Sequence, residues 1–265
     1  MTPMESVTER AQWERAEVAR SAVEARLTPE QSLRIAARQI ARYDRPAADT
    51  PYPLEYSYHL LGDVRGLRVL DYGCGSGANS VLLANRGAHV SGIDISPDLV
   101  TLARRRMTVN GRANGASFLV CSGYDLPFAD ASMDVVFGIA ILHHLDLGKA
   151  SPEIARVLKP GGRAIFQEPV RNSPLIRAIR PLIPYRQPDL SPYERPLTDA
   201  ELREFARPFA SFRQRAFLLP PVAIGSKLPI VKKHVDVLYR NDAVILRRMP
   251  SLAYYAGIRV MELTK

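Results

Sequence analysis

The sequence predicts an α/β protein built on a doubly wound, mostly parallel sheet, and three observations carry that prediction. Short apolar runs recur five times between residues 68 and 166, and their near-continuous hydrophobicity suits strands covered on both faces. Helix-like stretches of about a dozen residues separate them. The first run empties into a glycine-rich turn that opens a helix, at the sheet end where such folds bind ligands.

Taken in order, residues 5–42 read as helix. Val7, Ala11, Glu14 and Val18 open a weakly amphipathic stretch. A second starts at Thr28-Pro29-Glu30-Gln31, with Thr28 as cap and proline at the first helical position. Arg45 to Pro53 holds three prolines and reads as a linker, so residues 1–53 form an N-terminal helical cap ahead of a main domain over 54–265. The strand candidates are 68–70, 89–93, 117–120, 134–137 and 163–166, with helices expected over 78–86 and 97–110. Residues 169–200, rich in proline and arginine, read as an insertion beside the ligand end of the sheet. Thr198 and Glu201 have capping-box spacing and start a helix. A further helix is expected near 231–249 and a last strand over 258–263.

Composition narrows the function classes. The chain has 265 residues, 46% apolar and 24% charged, which fits one globular domain and excludes a largely disordered one. No run of eighteen apolar residues occurs; the best candidate, 216–231, is broken by Pro220, Pro221, Lys227 and Pro229, so no membrane span is expected. The first residues lack a secretory signal pattern, and a cytoplasmic location is expected. Two cysteines and five histidines without ligand spacing predict neither a disulfide framework nor a metal site. The net charge of +9 is uneven: residues 1–158 are near neutral, whereas 159–265 carry 19 basic and 9 acidic residues. Those basic residues are spread singly, as on a solvated surface.

The glycine turn is Asp71-Tyr72-Gly73-Cys74-Gly75-Ser76-Gly77. Its spacing is G-x-G-x-G rather than the G-x-G-x-x-G of dinucleotide sites. Asp71 before the turn would repel a pyrophosphate and welcome a cation, and S-adenosylmethionine is a nucleoside cofactor with positive charge beside its ribose. Asp94, 23 residues after Asp71 at the end of the second strand, can accept both ribose hydroxyls.

Taken with Gly92 to Ser96, Leu126-Pro127-Phe128, Asp134-Val135-Val136, His143-His144-Leu145 and Leu158-Lys159-Pro160-Gly161-Gly162, the turn resembles that of the class I S-adenosylmethionine-dependent methyltransferases of small-molecule type. The resemblance is strong over about residues 54–170. It implies a seven-stranded Rossmann-like sheet whose last two strands come from the tail and include an antiparallel edge. It also implies Gly73, Gly75 and Gly77 around the cofactor's methionine part, Asp71 near its amino group and Asp94 on its ribose. Cys74, Ile95 and Ile139 are expected on the same cofactor side. Where the family often has an acidic then a small residue before Leu126, this chain has Ser122 and Gly123, which puts a neutral hydrogen bond in place of a carboxylate at the adenine.

Methyl transfer from a sulfonium is an in-line displacement, so alignment in a dry site matters most and a base is needed only for a protonated nucleophile. Glu168, His144 and His143, just past the fifth and fourth strands, are the candidates for deprotonating or positioning the acceptor. Tyr56, Tyr58, Arg171 and Tyr185 are the candidate acceptor contacts, the arginine suited to a carboxylate or phosphate. The expected partner is a small, hydrophobic or acidic molecule. A nucleic-acid-modifying methyltransferase is the alternative that the basic 159–265 region suggests; against it, the aromatics do not interleave with basic residues in a stacking platform. A scaffold that binds the cofactor without methyl transfer stays open, as does the oligomeric state, homodimer included.

Overall fold

A computed structural model of the chain describes residues 7–174, 195–225 and 234–265. Seven strands form one sheet in the order β3-β2-β1-β4-β5-β7-β6. β1 (Arg68–Tyr72), β2 (His89–Asp94), β3 (Ala116–Val120), β4 (Met133–Ile139) and β5 (Leu158–Pro169) run parallel. β7 (Ile258–Thr264) lies antiparallel between β5 and β6 (Ser211–Phe217). The strand order reverses at β1 and β4, where a crevice opens at the carboxyl ends.

Side chains alternate between two cores, as period-two strands require. Leu70, Val136, Ala164, Phe166, Met261 and Leu263 face one layer with α6 (Leu147–Val157) and α7 (Asp199–Phe205). Val69, Val135, Phe137 and Ile165 face the other, with α3 (Pro53–Leu61), α4 (Ala78–Asn85) and α5 (Pro97–Val109). The remaining helices among the described residues are α1 (Val7–Leu27), α2 (Ala37–Asp44), α8 (Pro220–Gly225) and α9 (Val235–Arg248).

The expected helix over 5–42 is α1, a 3-10 turn over Glu30–Leu33, and α2. Thr28 does not cap a second helix; its hydroxyl donates back to the Glu24 carbonyl at 2.8 Å, and Pro29 opens only the short turn. Thr198 and Glu201 do form the capping box of α7. Residue patterning did not mark β6, whose centre is Arg213-Gln214-Arg215 on an exposed edge. Arg215 there stacks over Tyr56 and Phe217, each 4.7 Å from the ring centre. Among the described residues no helix is long and apolar enough to cross a membrane.

Candidate functional site

Backbone geometry builds the floor. After β1 the chain turns through Gly73 (φ +72°), where a Cβ would lie 2.5 Å from the Ile141 side chain. Gly77 (φ +78°) opens α4, and a Cβ on it would lie 2.8 Å from the Ala103 backbone, so only glycine lets α4 start against α5. The Cys74 N–H donates to the Ile93 carbonyl at 2.8 Å, which ties the turn to β2. Arg106, from α5, donates to the Ser76 carbonyl at 2.7 Å and to the Ser32 carbonyl at 3.1 Å, linking the turn to the N-terminal layer.

A cavity of about 240 Å³ opens above this turn. Gly73 and Gly75 line it from the turn, Asp94 and Ile95 from the end of β2, Ser122 and Gly123 from the end of β3, and Ile139 from β4. His144 closes one side. These eight are expected site residues, and they converge from four separate loops.

Asp94 is the hinge of the arrangement. Its Oδ2 accepts from the Gly75 N–H at 3.0 Å and its Oδ1 from the Ser96 N–H at 2.9 Å. Each oxygen keeps a second acceptor site. Burial pushes its pKa up against those two hydrogen bonds, and the Glu24 and Glu17 carboxylates push the same way.

Asp71, Cys74 and Gly77 do not line the cavity. Asp71 is instead sealed beneath the turn, with the Ser80 hydroxyl donating to its Oδ2 at 2.5 Å. Burial raises its pKa from 3.8 to about 7, with the Ser80 hydrogen bond opposing and Asp94 reinforcing. A carboxyl whose folded pKa is raised supports the fold below its unfolded pKa and loses that support as pH climbs through the folded one. Asp71→Asn is therefore expected to gain stability relative to the native chain progressively from about pH 4 to 7 and to hold that gain above pH 7. Denaturant titrations across that range check it; a difference independent of pH would contradict the burial argument.

The end of β4 is strained. Ala140 adopts φ +56°, in the left-handed region, on the cavity wall. Its N–H donates to the Gln167 carbonyl at 2.8 Å. Next to it the fully buried Glu168 collects the loop: Oε1 accepts from the N–H groups of Ile141 at 2.9 Å and Leu142 at 2.8 Å. Oε2 lies 2.8 Å from His143 Nδ1 and 3.4 Å from the His143 backbone nitrogen. Neither Glu168 nor His143 lines the cavity.

Residues 70–166, from β1 to near the end of β5, match the family described as a methyltransferase domain. Over that stretch the chain is similar to methyltransferases. An O-methyltransferase of Aspergillus nomiae is 43% identical over 105 residues, which is 39% of this chain and 47% of that protein. A fatty-acid O-methyltransferase of Mycolicibacterium smegmatis is 31% identical over 162 residues, 60% of this chain and 52% of that protein. The chain thus spans about half the length of these curated relatives. A geranyl diphosphate C-methyltransferase from Streptomyces coelicolor, solved with Mg2+, geranyl diphosphate and S-adenosyl-L-homocysteine, matches with a TM-score of 0.55 over 78% of this chain and 77% of its own, at 19% identity; the likeness is one of fold.

Relative to the cavity, the expected acceptor contacts scatter. Tyr58 is instead a core residue, fully buried with its ring 5.2 Å from Phe137, and Tyr56 stacks on His59 and Phe217. Both sit on α3, which packs on β5 and β7, so neither reaches the cavity. Arg171 follows β5, its N–H donating to the Leu197 carbonyl at 2.8 Å, and does not line the cavity either. Tyr185 lies outside the described residues. Among those described, no three His, Cys, Asp or Glu side chains are grouped to hold a metal ion.

The roof of the site comes from the N-terminal helical segment, expected from the sequence as a cap. α1 lies over the cavity and presents Trp13, Glu14, Glu17, Arg20, Ser21 and Glu24 to it. Trp13, Glu17 and Ser21 are buried at four-residue spacing, one face of a helix. Two of the three are polar, so a search for apolar periodicity passes over the stripe. Glu17 Oε2 pairs with Arg20 at 2.7 Å and stands 3.8 Å from His144 Nδ1, whose ring lies 6.4 Å from that of Trp13.

Proposed function

We propose that the methyltransferase domain binds S-adenosylmethionine between the β1 turn and Asp94 and passes its methyl group to a small-molecule acceptor. The observation that carries this reading is the Asp94 carboxylate, held by the Gly75 and Ser96 N–H groups with acceptor capacity left over on a cavity wall. The lining fits a cation: Asp94, Glu14, Glu17 and Glu24 outnumber Arg20 among its fixed charges. S-adenosylmethionine supplies an activated methyl group on sulfur.

The residues divide the remaining work. Asp94 accepts the ribose hydroxyls, while Gly73 and Gly75 admit the methionine part close to backbone. Ser122 and Gly123 flank the adenine. Tyr72 holds that strand end in place by donating its hydroxyl to the Gly123 carbonyl at 2.7 Å. α1 excludes water from above, the residues 1–53 acting as a cap on the 54–265 domain. His144, at the cavity beside Trp13, takes the acceptor's proton if it has one to lose, and Glu168 positions the loop that presents His144. Trp13, Ile141 and Leu145 beside His144 give the acceptor side an apolar character, consistent with a hydrophobic metabolite. Arg171 is proposed for an acidic group and Tyr185 for the apolar part of the acceptor, and a cytoplasmic location completes the reading.

The test supplies methyl-labelled S-adenosylmethionine with a metabolite extract and follows S-adenosylhomocysteine and labelled product by mass spectrometry. S-adenosylhomocysteine formation that depends on the extract is expected. Saturable uptake of S-adenosylhomocysteine without turnover on any fraction would leave a cofactor-binding scaffold; tight uptake of NAD in its place would overturn the cofactor assignment.

A further inference from the structure

Ten large apolar side chains remain exposed among the described residues, and six of them fall between residues 224 and 255. Ile224, Val237, Ile245, Met249, Tyr254 and Tyr255 are each 40–54% exposed. They belong to α8, α9, the 3-10 turn Pro250–Tyr255 and, for Met249, the link between the last two; α9 packs on both of the others. On α9 the spacing of Val237, Arg240, Asn241, Val244, Ile245 and Arg248 puts them on one stripe, at i, i+3, i+4, i+7, i+8 and i+11. That stripe mixes bare aliphatic side chains with arginines. Arg240, Arg247 and Arg248 are exposed. The two acids of the helix are engaged by the protein: the Tyr52 hydroxyl donates to Asp236, and buried Asp242 accepts from the Leu218 and Leu219 N–H groups at 2.9 Å each.

We propose that the face formed by α9 and the following 3-10 turn seats on an anionic lipid bilayer. An amphipathic helix lying in the interface sinks short aliphatic side chains among the acyl chains while its arginines meet lipid phosphates. The tyrosine pair, ring centres 5.2 Å apart at 89°, supplies the amphipathic rings that favour headgroup depth. Charge favours this occupant over a second copy of the chain, because a two-fold contact would set three arginines against three. It favours lipid over a polynucleotide as well, since Val237, Ile245 and Met249 gain nothing from a polyanion that lacks an apolar phase. The strongly basic 159–265 region adds long-range attraction of the same sign.

The location has a use. The Tyr254 hydroxyl donates to the Asn172 carbonyl at 3.2 Å and the Tyr254 carbonyl accepts from Asn172 Nδ2 at 3.4 Å, three residues beyond the end of β5. The face therefore borders the carboxyl end of the sheet, where an acceptor drawn from the bilayer would enter. The docking itself does not depend on the methyl-transfer reading.

Full-length protein is sedimented with vesicles of phosphatidylcholine alone or with 30% phosphatidylglycerol, at low and moderate salt. Binding to the phosphatidylglycerol vesicles, weakening with salt, is expected. The variant R240Q/R247Q/R248Q should lose at least about tenfold in vesicle affinity, and V237S/I245S/M249S a comparable factor. Circular dichroism melts and S-adenosylhomocysteine binding confirm that both variants stay folded. Absence of binding at low salt, or binding that both variants retain, overturns the proposal. So does a native dimer that V237S/I245S/M249S dissociates, or capture of mixed RNA as tight as capture of vesicles.

Discussion

Asp94→Ala is expected to weaken S-adenosylhomocysteine binding by about a hundredfold or more while the chain stays folded. The carboxylate does two jobs at once. It pins the β1 turn through the Gly75 N–H and the α5 entry through the Ser96 N–H, and it offers its remaining lone pairs to the ribose. Each charge-assisted hydrogen bond is worth roughly 1.5–3 kcal/mol, so losing two to a ligand corresponds to about 3 kcal/mol or more. Asp94→Asn should be nearly as damaging, because the amide turns an N–H toward Gly75 or Ser96 where an acceptor is required. Calorimetric titration reads the affinity directly. An unchanged dissociation constant for Asp94→Ala would remove the ribose assignment, and with it the observation on which the function rests.

Glu168→Gln is expected to cost about 3–5 kcal/mol of unfolding free energy. The native carboxylate accepts from the Ile141 and Leu142 N–H groups and faces the His143 ring and backbone nitrogen, in a place with no exposure to water. Glutamine keeps the shape but brings two donors into a nest of donors, and buried unpaired N–H groups carry their full desolvation cost. The left-handed Ala140 beside this nest should then relax, taking the cavity wall with it. The functional readout separates positioning from chemistry. A positioning Glu168 predicts weaker cofactor affinity together with slower turnover, and no missing limb in the pH–rate profile. A variant with native stability and cofactor affinity but a lost pH limb would make Glu168 the base itself.

The parallel centre of the sheet was legible because its strands are apolar on both faces and its helices follow at regular intervals, whereas the polar edge strand β6 was not. Val69–Tyr72 and Val135–Phe137 could hardly be anything else. The cavity floor was legible for a related reason: glycine turns and strand-end carboxylates act through backbone position, which topology dictates. Asp71 shows the limit of that logic. Its place at a strand end was readable, but whether its side chain enters the cavity or the layer beneath depends on the pleat and on Ser80, nine residues on. Glu168 was marked as a site residue for its charge, whereas its task depends on the Ile141 to His143 backbone folding back on it. The acceptor side was least legible. Tyr56 and Tyr58 look like pocket aromatics in one dimension and are packing residues in three, while Trp13 and Glu17 reach the cavity from a helix more than forty residues before the first strand.

That distant helix separates two kinds of change. The proposed cofactor contacts come from residues 73–123, within the stretch that matches a methyltransferase domain, but the ceiling is drawn from outside it, on α1 packed against α5. Mutations that reshape Trp13 leave the Asp94 and glycine-turn contacts in place and can retune which guest is tolerated, whereas the Glu17 carboxylate also acts on Asp94. Selection for a new specificity therefore has a low-cost starting point there, and directed evolution should concentrate its libraries on residues 13–24.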